Sequence, residues 1–106
     1  MILTTTEKLE GYEVMETLGL VMGNVVYSKH LGKDIAAAFK TLAGGEIKSY
    51  TELLTEARNI ALQRMIAEAE KLGADAVIGL RFGSSSVMQS AAEVLAYGTA
   101  VKLKKL

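Results

Sequence analysis

The sequence predicts a single α+β domain over residues 1–106, in which a mostly antiparallel sheet packs against two helices in the order β-β-α-α-β-β. Three observations carry this prediction. Residues 12–22 alternate apolar and polar side chains, residues 50–72 repeat their apolar positions with a helical period, and two apolar runs, 74–82 and 91–103, follow that helix. Strands grouped before and after the helices, rather than alternating with them, favour hairpin-like pairs at each end of the chain, with the helices on one face of the sheet.

Residues 2–5 form a short β-prone run, and Glu7, Lys8, Glu10 and Gly11 make a polar turn. Tyr12, Val14, Leu18, Leu20 and Met22 then recur at even positions, the mark of a half-buried strand. Glu16 breaks that even face, and Gly19 and Gly23 point to a bulge, a bend or a close backbone approach. Gly23-Asn24 reads as a turn or kink before Val25-Val26-Tyr27 resumes the strand.

The first helix is expected over 33–43, with Ile35, Ala38, Phe39 and Leu42 on one face and Gly44-Gly45 as its stop. The second, from Tyr50 to Leu72, opens on the capping box Ser49 and Glu52. Leu53, Leu54, Ala57, Ile60, Ala61, Met65 and Leu72 form its apolar stripe. Glu52, Glu56, Asn59, Gln63 and Glu70 form its polar face. Arg64 and Glu68 fall in the apolar sector, four apart and placed to pair. The strand at 74–82 is apolar on both faces, with Ala76, Ile78, Leu80 and Phe82 on one and Val77 on the other. Two helices cannot cover both sides of a sheet in so short a chain, so the second cover is expected from another subunit. Gly83-Ser84-Ser85-Ser86 reads as a turn, and a long final strand carries Leu95, Tyr97, Val101 and Leu103 at odd positions.

Composition points the same way. Half of the residues are apolar and the mean hydropathy is +0.25. A domain of this size buries only about 65% of the surface its unfolded chain exposes, so apolar surface is left over for a homo-oligomeric interface. Twelve basic residues cancel twelve acidic ones, which argues against nucleic acid, since phosphate binding needs a clustered positive field. Lys102 and Lys104 alternate with Val101 and Leu103 as the wet face of a strand. No apolar run reaches the length of a membrane span, and the first residues lack the features of a signal peptide, so the cytoplasm is the expected compartment. Ten of the twelve acids are Glu and nine of the twelve bases are Lys, a bias found in thermophilic proteins.

No reactive constellation emerges. Without cysteine there is no disulfide and no thiolate chemistry. His30 is the single histidine and the candidate metal ligand. One histidine without cysteine cannot make the usual nitrogen and sulfur site, but in a cyclic oligomer copies of His30 can meet around an axis, and Glu13, Glu16 and Asp75 are candidate carboxylates that their spacing does not support. Ser84, Ser85 and Ser86 have no nucleophile elbow around them, and Gly44-Gly45 is too short for a phosphate loop. Arg58 and Arg81 are candidate anion ligands whose more ordinary use is pairing with a carboxylate.

Several stretches together resemble the YbjQ family of bacterial and archaeal proteins, which carries a heavy-metal-binding label. They are Thr4-Thr5-Thr6, Leu18-Gly19-Leu20-Val21-Met22-Gly23, Gly44-Gly45-Glu46 with Tyr50, and Glu56-Ala57-Arg58. Leu72-Gly73-Ala74-Asp75-Ala76-Val77-Ile78-Gly79 and Gly98-Thr99-Ala100-Val101 complete the set. The resemblance implies a fold related to dodecin subunits and a homopentameric ring. It implies no established reaction. The family pattern carries an acidic residue soon after the strand that starts at Ala74, where this chain has Gly83-Ser84-Ser85-Ser86. The expected function is a ring-forming binding or structural protein, the alternative a metal-ion binder with sites at subunit junctions, and a serine hydrolase ranks last.

Overall fold

The computed structural model describes residues 1–28, 46–88 and 91–106. Among these, four strands and one helix form a two-layer α+β fold: β1 (Ile2–Leu3), β2 (Tyr12–Ser28), α1 (Glu46–Lys71), β3 (Ala76–Met88) and β4 (Ala91–Lys105). The helix expected over 33–43, its Gly44-Gly45 stop and His30 lie outside the described residues.

The sheet order is β1-β3-β4-β2. β4 pairs antiparallel with both β2 and β3, whereas β1 pairs parallel with β3. The expected amino-terminal hairpin is therefore absent. Residues 2–6 instead lie along the outer edge of β3, where the Thr4 N–H donates to the Val77 carbonyl and the Gly79 and Leu80 N–H groups donate to the carbonyls of Thr6 and Thr4. The chain then crosses to the far edge and enters β2, which runs in the same direction as β3.

α1 starts one turn earlier than the Ser49 and Glu52 capping box, so Ser49 sits inside the helix. Its buried stripe is Leu53, Ala57, Ala61, Met65 and Ala69, and from Ala57 onward it shares one core cluster with Val21 of β2, Val77 and Leu80 of β3, and Val94, Ala96 and Ala100 of β4. Small side chains let the helix lie close to the sheet. At Gly23 the approach is closest, since a Cβ there would run into the backbone of Ala61 and Met65. Leu72, assigned to the stripe by its period, is exposed beyond the helix end.

Three one-residue irregularities decide which side chains meet the helix. Register shifts fall between Val14 and Glu16 and between Thr17 and Gly19 on β2, and between Ile78 and Arg81 on β3. Each extra residue inverts the faces of everything after it. Glu16 leaves the face of Tyr12 and Val14 because of the first shift, and lies opposite Lys102. Leu18, at the second, packs against the core instead of sharing the face of Leu20 and Met22. On β3, Gly79 takes φ 60° at the irregularity, a left-handed conformation that glycine adopts without a Cβ penalty. Leu80 consequently joins Val77 in the core, and Phe82 falls opposite Ala96 on the helix side. The expected set of Ala76, Ile78, Leu80 and Phe82 is thus split between two faces.

Two expected turns are strand. β2 passes through Gly23-Asn24 without a break, and β3 continues through Gly83-Ser84-Ser85-Ser86 as far as Met88. Both segments are held by uninterrupted pairing with β4, and that pairing overrides the local turn preference of glycine, asparagine and serine.

Candidate functional site

The most distinctive surface is the sheet face opposite α1. Leu20, Met22 and Val26 of β2 and Tyr97 of β4 are 66%, 47%, 55% and 37% exposed there, with half-buried Leu95 beside them. Their placement follows from register. Val21, Gly23 and Val25 lie opposite Gly98, Ala96 and Val94 on the helix side, so the residues between them project from the other side. Arg81 lies opposite Tyr97 on the same face, and its guanidinium donates to the carbonyls of Thr5 (2.8 Å) and Leu80 (2.9 Å). Near the other end, the Asn24 amide donates to the Glu93 carboxylate at 2.8 Å.

Toward the carboxyl end of β4 the same sheet face is partly roofed by the segment that joins β1 to β2. Leu9, Tyr12, Val14, Ile78, Leu103 and Leu106 line a half-open cleft of about 610 Å³ there. The roofing segment is tied by hydrogen bonds from the Tyr12 N–H to the Leu9 carbonyl and from the Leu106 N–H to the Gly11 carbonyl.

Among the described residues the candidate chemical side chains do not converge. Asp75 accepts a hydrogen bond from the Leu103 N–H at 2.8 Å, while its own N–H donates to the Val101 carbonyl. It extends the β3–β4 ladder by one side chain. Glu13 and Glu16 lie opposite Lys104 and Lys102 in the ladder. Among the described residues no three His, Cys, Asp or Glu side chains come close enough to hold a metal ion.

Ser84, Ser85 and Ser86 are exposed strand residues. Ser84 borders a shallow pocket of about 220 Å³ with Leu54, Arg58, Phe82 and Val94. The Arg58 guanidinium donates to the Thr55 hydroxyl at 3.2 Å. Neither Arg58 nor Arg81 therefore forms the expected carboxylate pair among the described residues; Arg81 fastens the amino-terminal segment to β3. Arg64 does not pair with Glu68 either. Its guanidinium donates to the Asn24 carbonyl at 2.7 Å, and Glu68 pairs with Lys71 at 3.2 Å, both being exposed. Sequence reasoning missed this contact because it crosses from helix to sheet. The close approach at Gly23 is the local signal that brings Arg64 over Asn24.

No described helix is long and apolar enough to cross a membrane.

Known proteins match the whole length of this chain. The profile of the YbjQ family, described as "Putative heavy-metal-binding", matches residues 1–104. A protein of Pseudothermotoga lettingae named UPF0145 protein is 82% identical over 106 residues, covering all of both chains. The Thermotoga maritima protein of the same name is 76% identical over 106 residues, again all of both chains. One from Photobacterium profundum is 61% identical over 103 residues, covering 97% of this chain and all of the relative. Among solved structures, a protein of unknown function from Pediococcus pentosaceus, assigned to the DUF74 family, superposes with a TM-score of 0.66 at 21% identity, covering 98% of both chains. At that identity the likeness concerns the fold alone. On the family profile and the full-length relatives together, the chain belongs to the YbjQ family.

Proposed function

We propose that the chain works as a ring-forming homo-oligomeric binding or structural protein of the cytoplasm, with no established reaction. The observation that supports this most directly is the apolar sheet face of Leu20, Met22, Val26 and Tyr97, left uncovered in a chain whose only described helix lies on the other side. Apolar surface of this kind on a small domain marks an interface. A second copy is the economical partner, since the excess is built into every chain. Native mass spectrometry at micromolar concentration tests the reading: a closed oligomer is expected, five copies being the number implied by the family resemblance, and a monomeric mass would sink it.

A second reading, metal binding at subunit junctions through His30 and carboxylates, is favoured by the family description. Among the described residues no three candidate ligands come together within one chain, which is compatible with ligands drawn from more than one copy. Calorimetric titration with Zn²⁺, Cu²⁺ and Ni²⁺ tests it. Heat that disappears in His30→Ala supports it, and no heat with the native assembly removes it.

A further inference from the structure

We infer that copies of this chain join edge to edge, the outer edge of β2 in one copy pairing in parallel with the outer edge of β3 in the next. This inference rests on the ring reading above and names the surfaces that close the ring.

Backbone groups along β4 point alternately toward its two neighbours. Odd residues of β4 turn toward β3: the Leu103 N–H meets the Asp75 carboxylate, and the Val101 carbonyl accepts from the Asp75 N–H. Even residues of β4 therefore turn toward β2, where Ala100, Gly98, Ala96 and Val94 lie opposite Gly19, Val21, Gly23 and Val25. Backbone polarity alternates along a strand. Leu20, Met22, Asn24 and Val26 are thus left with N–H and C=O groups pointing out of the sheet. The Asn24 carbonyl is taken by Arg64; among the described residues no other backbone partner meets this edge.

β3 has a matching free edge. As far as Leu80 its outer groups are taken by residues 2–6. Past Gly79 the register puts Arg81 and Gly83 opposite Tyr97 and Leu95, facing β4. Phe82 and Ser84 then point their backbone groups outward, again without a backbone partner among the described residues.

Soluble proteins guard such edges with proline, lysine, inward charges or very short strands. Here the chain has no proline, β2 is 17 residues long, and its only charges are Glu13 and Glu16 near the start. The free stretch of β3, Phe82-Gly83-Ser84-Ser85, carries no charge. Several exposed apolar side chains lie on these same edges, Leu20, Met22 and Val26 on β2 and Phe82 on β3. Both edges have the composition of strands made to be paired.

Strand direction selects the arrangement. β2 and β3 are each antiparallel to β4, so they run the same way. Rotation about an axis along the strands brings β2 of one copy beside β3 of the next with that common direction kept, which makes the junction parallel. Such a contact uses two different surfaces and closes into a ring when the rotation divides a full turn. A two-fold pairing of β2 with β2 would be antiparallel and would leave every β3 edge bare.

The chain has no cysteine, so introduced thiols report the junction cleanly. Ser85 lies opposite Glu93 and faces the open side, as do Met22 and Val26. The full-length double variants Met22→Cys/Ser85→Cys and Val26→Cys/Ser85→Cys are treated with a short bismaleimide and run on a denaturing gel, beside native mass spectra of the untreated proteins. The expected result is a ladder from dimer up to the mass of the native assembly in at least one double variant, with each single-cysteine variant remaining monomeric on the gel. Efficient dimer formation by Met22→Cys or Val26→Cys alone would overturn the inference in favour of a two-fold junction. A native oligomer in which neither double variant forms a ladder would overturn it while leaving the ring reading standing. A native monomer would remove both.

Discussion

The guanidinium of Arg64 reaches from the helix to the backbone carbonyl of Asn24, 2.7 Å away on the outer edge of the sheet. Asn24 in turn donates through its side chain to Glu93 of the neighbouring strand. Helix, edge strand and central strand are thereby linked by two polar contacts, while the core beneath them is apolar. The Arg64 contact occupies one carbonyl of an edge that is otherwise open among the described residues. Replacing Arg64 by Met retains the aliphatic stem and removes this bond. A loss of about 1 kcal/mol in denaturant unfolding is expected, with faster hydrogen exchange among the amides of β2 nearest Asn24.

Gly23 is the position where the helix comes nearest the sheet. Gly23→Ala sets a methyl group against the backbone of Ala61 and Met65, neither of which can swing aside as a side chain would. The helix must lift, and unfolding measurements are expected to show a loss of about 3 kcal/mol or more. Gly83→Ala is the control. A Cβ there meets nothing within 4 Å, and a change within about 0.5 kcal/mol is expected, as for a surface substitution.

Met65 is fully buried at the centre of the helix–sheet contact. Met65→Ala leaves a cavity in the core between helix and sheet, with an expected cost of about 2–5 kcal/mol by thermal or chemical unfolding. If the loss were below about 1 kcal/mol, this site would not be the centre of the core.

Asp75 separates structural from chemical use of a carboxylate. Asp75→Ala removes the acceptor for the Leu103 N–H. The contact is exposed, so the expected loss is about 1 kcal/mol, together with faster exchange of the Leu103 amide. Any binding of Zn²⁺ or Cu²⁺ by the native protein is expected to persist in this variant. Abolished binding would give Asp75 a ligand role that its present geometry does not indicate.

The open sheet face yields a prediction about assembly. Leu20→Lys with Val26→Lys places two charges where apolar side chains are exposed. Native mass spectrometry is expected to shift toward monomer, while circular dichroism retains the α+β signature, because neither residue belongs to the buried core. An unchanged oligomer would show that this surface takes no part in assembly.

Much of this architecture is legible in the chain. Ala57, Ala61 and Met65 announce a helix face by spacing alone, and that face is buried. Glu52, Glu56, Asn59, Gln63 and Glu70 are exposed as their positions on the opposite face require. Gly19 and Gly23 were readable as a bulge and a close approach, and each has one of those roles. The site was less legible. The pairs expected within one element, such as Arg64 with Glu68, gave way to contacts between elements, because Asn24 is brought beneath Arg64 only when the helix docks.

By itself, then, the sequence determined the long helix and the strands that flank it, the charge balance, the absence of thiol chemistry and a surplus of apolar side chains. These depend on composition and on periodicity over a few residues. Only the tertiary structure decided which face each side chain takes after Met15, Leu18 and Gly79, that β1 lies parallel to β3, and that 83–86 is strand rather than turn. The reason is that a strand's faces and ends are set by pairing with a partner distant in the chain. A single extra residue in that pairing inverts every later position, and no local period records it.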